Sequence, residues 1–172
     1  MEAVVLGGSH ARGRAQPGSD IDLGLLYSDA APFAVESTRE LAESVNDTPA
    51  PVVTGFYEWG AWVNGGAWLT IDGQRVDLVY RSLEHLESVI DDAEAGRSEL
   101  DYLQQPPFGF LSATYLGEIA VCVPLFDPSR RLERLERRVA TYPAALRDAV
   151  VRPPLDGGAH ARRIRAEGRG TF

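Results

Sequence analysis

The stretch Ser19-Asp20-Ile21-Asp22-Leu23-Gly24-Leu25-Leu26-Tyr27 limits the fold more tightly than any other part of the chain. From Ile21 onward it is apolar enough to be a buried strand, yet it opens on two carboxylates two residues apart. Residues at that spacing on a strand point to the same face. Any sheet containing this segment must leave Asp20 and Asp22 together where charge is tolerated. Asp77 has the same setting in Arg75-Val76-Asp77-Leu78-Val79-Tyr80. A third carboxylate from a neighbouring strand would complete a set of hard oxygen donors for a divalent metal. Upstream, ten residues separate Ser9 from Asp20, and Ser9 closes a Gly7-Gly8-Ser9 turn. Gly8 allows a close backbone approach to a phosphate, and Ser9 offers it a hydroxyl and an N–H. Carboxylates, metal and phosphate together point to phosphoryl or nucleotidyl transfer.

Composition narrows the class. A chain of 172 residues, 44% hydrophobic, fits one cored domain with an appendage. Its net charge of -8 disfavours broad nucleic-acid binding, because phosphate backbones repel an acidic surface. No apolar run approaches a membrane span, and no signal segment opens the chain, so a cytoplasmic protein is the expectation. The single Cys122 excludes an intrachain disulfide, and the three His residues show no zinc spacing. All 17 basic residues are Arg, so a P-loop lysine is excluded.

Along the chain, residues 3–6 and 21–27 read as strands, with a Gly- and Arg-rich turn and loop over 7–18. Pro32 opens a helix through Val45. Val52 to Tyr57 reads as a strand. Trp68–Ile71 and Arg75–Tyr80 read as a hairpin about Asp72-Gly73-Gln74. A helix follows, with Ser82 as N-cap, Leu83, Leu86, Ile90 and Ala93 on one face, and Gly96 as its stop. Residues 119–126 read as a last strand. Asp127-Pro128 opens another helix, with Leu132, Leu135 and Val139 inward and a Glu133–Arg137 pair outside. The expected organisation is a domain over 1–126, the start of a C-terminal helical region over 127–150, and a poorly ordered Arg/Gly tail over 151–172. That tail carries five Arg against two acids, a charge of +3, which leaves -11 for the rest.

The run Leu6-Gly7-Gly8-Ser9-His10-Ala11-Arg12-Gly13, the fixed spacer, Asp20-Ile21-Asp22 and the later Val76-Asp77-Leu78 resemble the nucleotidyltransferase fold of the DNA polymerase beta superfamily. The likeness is to its small bacterial members, the minimal and the antibiotic nucleotidyltransferases, and it covers roughly residues 1–126. It implies an α/β (α+β) fold with a mixed, mainly antiparallel sheet flanked by helices, and a truncated C-terminal helical part. It implies a nucleoside triphosphate (NTP) donor and two magnesium ions. Gly8 and Ser9 match the phosphate-binding turn, Asp20 and Asp22 the metal pair. Asp77 matches the third carboxylate, a metal ligand and catalytic base. Three departures accompany the likeness. No helix precedes the first strand, His10 stands where many relatives have Arg, and the helical region runs into the Arg/Gly tail as a truncated or frameshifted reading would.

The expected activity is magnesium-dependent transfer of a nucleoside monophosphate to an acceptor hydroxyl, with release of pyrophosphate. The acceptor is a small molecule or a protein side chain, the latter as in antitoxin-type enzymes that modify a partner. A non-catalytic nucleotide- or partner-binding module is the alternative. Apolar surface left by a shortened C-terminus favours a homodimer or a partner protein. Arg12 and Arg14 supply guanidinium groups to phosphate oxygens or remain solvated loop charges. Trp59, Trp62 and Trp68 either pack the core or form a wall that stacks a base or an acceptor ring. The loop from Gln104 to Phe110 lies over the sheet, at the border of an acceptor pocket.

Overall fold

The computed structural model describes residues 1–104 and 108–151. The expectation of a poorly ordered tail concerns residues outside that range, apart from Val151. Eight strands and six helices follow one another among the described residues. They begin with β1 (Ala3–Leu6), the four-residue α1 (Gly8–Ala11), β2 (Ile21–Tyr27) and α2 (Val35–Val45). Next come β3 (Val52–Val53), β4 (Gly66–Ile71), β5 (Gln74–Ser82) and α3 (Leu83–Glu94). Then follow β6 (Leu100–Asp101), β7 (Phe110–Leu111), α4 (Thr114–Val121), β8 (Val123–Phe126), α5 (Arg131–Val139) and α6 (Ala144–Val151).

The main sheet has the order β3-β4-β5-β2-β1-β8, and β6 with β7 forms a separate two-stranded ribbon. Only β2 and β5 run parallel; the other pairs of the main sheet are antiparallel. The sheet is therefore mixed and mainly antiparallel, as the resemblance implies. Period-two alternation sorts its side chains. One face buries Val76 and Leu78 of β5 with Ala67 and Leu69 of β4 against Ala42 of α2. The opposite face buries Ala3, Val5 and Leu26 against α3, α4, α5 and Leu146 of α6. Asp20, Asp22, Gly24 and Leu26 share this second face, and the helices cover only its Leu26 end.

The helix α3 follows its sequence signals. Ser82 Oγ accepts a hydrogen bond from His85 N at 3.1 Å, and Leu83, Leu86, Ile90 and Ala93 are buried. Gly96 ends it at φ +75°, a left-handed conformation that glycine reaches without a Cβ clash. Helix α5 is bound to α3 by its buried Leu132, Leu135 and Val139 and by two Arg clamps. Arg131 reaches Glu84 and Glu87 at 2.9 and 2.7 Å, and Arg138 reaches Asp91 and Glu94 at 2.5 and 2.8 Å. The Glu133–Arg137 pair is present at 3.7 Å.

Several boundaries differ from the sequence reading. Residues 119–126 are not one strand: 119–121 end α4, which buries Tyr115, Leu116 and Ile119 at helical spacing, and the strand starts only at Val123. Helix α2 starts at Val35 because Phe33 is used elsewhere, edge-on to Tyr27 and Tyr80. The strand at Val52 stops at Val53, and Tyr57 takes φ 62° in the turn beyond. The β4–β5 turn holds two residues, since Asp72 and Gly73 both have positive φ and Gln74 already pairs with Ile71. Helix α5 starts three residues after Pro128, because Arg130 has φ 53°. Asp127 still caps it from outside, its Oδ2 accepting from Glu133 N at 3.0 Å. Helices α1 and α4 have no counterpart in the sequence reading, and α6 falls at the end of the region expected to be helical, 127–150.

Candidate active site

The parallel β2–β5 pairing sets Asp22 directly beside Asp77. Both strands enter this register through apolar residues, Ile21 beside Val76 and Leu23 beside Leu78, whose side chains go to the α2 face. The intervening carboxylates are thereby forced onto the opposite face. Asp20 lies one step before β2, with an oxygen 4.0 Å from the Arg75 guanidinium. Arg75 shares the Asp77 face of β5, so Asp20 extends the same row of acids.

The turn after β1 completes the other side. Gly7 N donates to Asp22 O at 2.8 Å, and Gly8 follows at φ +59°. A Cβ on Gly8 would fall 1.7 Å from Asp22 Oδ2. Glycine at this position is a condition for Asp22 to stand where it does. Arg12 Nε donates to Gly8 O at 3.1 Å, which holds the guanidinium over the turn.

Electrostatics single out the two paired carboxylates. Burial, then Asp20, pushes the Asp22 carboxyl above its usual range, while His10 and Arg12 pull it down. Burial, then Asp20 and Asp22, raises the Asp77 carboxyl against Arg75. Half-buried acids that repel one another and lack a full counter-charge are a fitting donor set for a cation. Among the described residues, no three His, Cys, Asp or Glu side chains already converge on one point as a metal cage. Asp22 and Asp77 nonetheless suit magnesium, which takes few carboxylates and completes its shell with substrate phosphates and water.

A cavity of about 580 Å3 opens beside this row. Gly7, Gly8, Arg12 and Asp22 line it on the side of the glycine turn, together with the apolar Leu26, Val79, Leu86, Ile119 and Leu132. Of the expected site residues, Gly8, Arg12 and Asp22 line it; Ser9, Asp20 and Asp77 do not. Arg14 is exposed, its backbone N–H donating to Ser9 O at 2.9 Å.

Sequence reasoning missed Arg81 and Glu118, which also line the cavity and pair with each other at 3.2 Å. Arg81 sits over the Tyr115 ring at 5.1 Å and donates to Val63 O at 2.9 Å. Alternation along β5 would have found it, since Arg75, Asp77, Val79 and Arg81 share a face. Glu118 had no such signal, because it lies on the unforeseen α4. The tryptophans divide: Trp62 is buried in the main core, while Trp59 and Trp68 stack on each other at 4.2 Å.

No curated protein matches the chain. No helix among the described residues is long and apolar enough to cross a membrane. The family model for a nucleotidyltransferase domain matches residues 2–99, which include the glycine turn and all three carboxylates. With more than half its length matched, the chain belongs to the nucleotidyltransferase domain family of the polymerase beta-like superfamily.

Proposed function

We propose that the domain transfers a nucleoside monophosphate from an NTP to an acceptor hydroxyl, with magnesium as the metal. The observation that carries this reading is Asp22 beside Asp77 on one sheet face, with Gly8 packed on Asp22 and a cavity of about 580 Å3 opening beside them. The glycine turn binds the β- and γ-phosphates through its N–H groups and the Ser9 hydroxyl, with Arg12 above it. The nucleoside enters the cavity, whose lining is mainly apolar with Arg81 and Glu118 among it. Asp20, Asp22 and Asp77 would hold two divalent ions, which neutralise charge on the triphosphate and favour ionisation of the acceptor. Asp77 takes the hydroxyl proton. The acceptor oxygen bonds to the α-phosphorus, the bond from that phosphorus to the β-phosphate oxygen breaks, and pyrophosphate leaves with the electron pair.

The test incubates the protein with magnesium and each labelled NTP, adding separated small-molecule and protein fractions of a lysate as acceptors. Pyrophosphate release with label on an acceptor is expected, and Asp22→Asn should abolish it. Full transfer by that variant would overturn the metal assignment. Nucleotide binding without transfer under any of these conditions would favour a binding module.

A second copy or a partner chain has separate support in β8. This edge strand pairs only with β1 among the described residues, and Val123, Leu125 and Phe126 are all exposed. Apolar edges of this kind invite pairing with another chain. A sedimentation profile that does not change between low and high concentration, with a monomer's mass, would remove the homodimer.

A further inference from the structure

The row of site residues does not end at Asp77. Across the β4–β5 pairing, Trp68 is the direct partner of Asp77 and shares its face. Trp68 is 51% exposed, an aromatic ring left in solvent beside a half-buried acid. It does not stand alone, because Trp59 lies flat against it with ring centroids 4.2 Å apart and planes 26° apart.

The seat for Trp59 is built. Gly66, two residues before Trp68 on β4, has no side chain; a Cβ there would collide with Leu78 O at 1.8 Å and would also touch Trp59 Cζ3 at 3.2 Å. Trp59 packs beside this bare backbone. Its backbone N–H donates to Asn64 O at 2.8 Å, and its backbone carbonyl accepts from Gln104 Nε2 at 3.0 Å. Asn64 is itself buried and donates to Tyr27 Oη at 2.8 Å. The loop that carries Trp59 contains Tyr57 and Asn64 at φ 62° and 68°, conformations costly for residues with a Cβ. A buried Asn64 contact and a part-buried Gln104 contact thus hold the loop in this costly conformation, with one tryptophan against another that stays exposed. Core packing does not account for that arrangement, since Trp62 alone enters the main core.

In-line displacement sets the direction. The entering oxygen and the departing pyrophosphate must lie on opposite sides of the α-phosphorus. With pyrophosphate at the Gly8 turn, the acceptor approaches Asp77 from the side away from Gly8, which is the side of Trp68. The nucleoside, attached through a third oxygen, leaves that line sideways into the cavity. We propose that Trp68, backed by Trp59, is the acceptor shelf of this enzyme and selects an acceptor whose hydroxyl is borne on a flat-faced ring. The assignment rests on the nucleotidyl-transfer reading for its chemistry. A stacked ring would present its hydroxyl to Asp77, the register neighbour of Trp68. A free cyclic compound and a tyrosine side chain of a protein supply the same chemistry.

The experiment has a binding arm and a turnover arm. The indole N–H resonances of the full chain, assigned with single Trp→Phe variants, are followed as phenol, myo-inositol, N-acetyltyrosine amide or open-chain sorbitol is added. Ring probes should move the Trp59 and Trp68 signals and spare Trp62, while sorbitol moves none. In turnover with the acceptor fraction that takes label, Trp68→Ala should raise the acceptor KM by about tenfold. The same variant should leave the KM for NTP unchanged, and Trp68→Phe should restore most of the loss. Label on the small-molecule fraction should fall on a cyclic compound, and label on the protein fraction on a tyrosine; a labelled open-chain compound, serine or threonine would overturn the shelf. Ring probes that leave both signals in place, or a Trp68→Ala enzyme with an unchanged acceptor KM, would overturn the shelf. Shifts of both signals without any transfer would retain it as a ring-binding site and sink only the catalytic reading.

Discussion

At the residue scale, the site depends on one absent atom and on two acids brought together. Gly8 sits at φ +59° with Asp22 Oδ2 in the space of a Cβ. Gly8→Ala should cost about 1–2 kcal/mol of stability, because a left-handed residue gains a Cβ. Its larger effect is displacement of Asp22, which should lower transfer about 100-fold. Thermal melting and pyrophosphate release separate the two losses, and an active Gly8→Ala enzyme would refute the turn's role. Burial and then Asp20 raise the Asp22 carboxyl, and burial, Asp20 and Asp22 raise that of Asp77 on the adjacent strand, so the ionised acids weaken the fold. Asp22→Asn should therefore raise the melting temperature of the metal-free protein, by roughly 2 °C, while transfer is lost. A variant that melts lower without metal would show that Asp22 stabilises the fold instead.

At the scale of elements, Glu84 at the start of α3 joins three parts of the chain. It accepts from Ser28 Oγ and Asp29 N after β2, both at 2.9 Å, and from Arg131 of α5. Burial raises its carboxyl, but the Asp29 N–H, the Ser28 hydroxyl and the Arg131 guanidinium outweigh it and hold it at about 2. A depressed folded value means the stabilisation is present above the ordinary carboxylate range and is lost as pH falls towards 2. Thermal melts from neutral to acid pH should show a loss in wild type that is smaller in Glu84→Gln. Equal acid limbs would refute the linkage. Leu132 of α5 is 1% exposed and also lines the cavity. Leu132→Ala should cost about 3 kcal/mol in chemical denaturation and weaken nucleotide binding, since the cavity wall loses its apolar contact.

Local signals made many of these elements legible. The strands of Asp22 and Asp77 were readable because alternation needs only near neighbours in sequence. The cap at Ser82 and the stop at Gly96 were readable because their chemistry is local. The hairpin was readable in existence but not in register. A three-residue turn would pair Ile71 with Arg75 and put Trp68 opposite Leu78, on the α2 face. The observed two-residue turn puts Trp68 opposite Asp77 instead. One residue of turn length thus decides whether a tryptophan joins the core or the site. The stretch before Cys122 was read as strand because a short apolar run fits both periods, and only packing on α3 and α5 selected helix.

For the whole molecule, the two sheet faces have different tasks. The α2 face is core, and the opposite face is half core and half site, with the cavity between. A ligand that binds only the folded state stabilises it by about 2.7 kcal/mol at one hundred times its dissociation constant. Magnesium with a non-hydrolysable NTP analogue should therefore raise the melting temperature, and Asp77→Asn should blunt the rise. No shift at saturating analogue would refute nucleotide binding in this cavity. The sequence by itself determined the family of the domain: a glycine turn, a fixed spacer and three acids in two strand-like runs need no long-range knowledge to recognise. Only the tertiary structure decided what surrounds those residues. The placement of Trp68 beside Asp77, of Arg81 and Glu118 at the cavity, and of α4 over it depends on pairings between distant segments. Local periodicity carries no record of those pairings, because it reports which face a residue takes and not what that face meets.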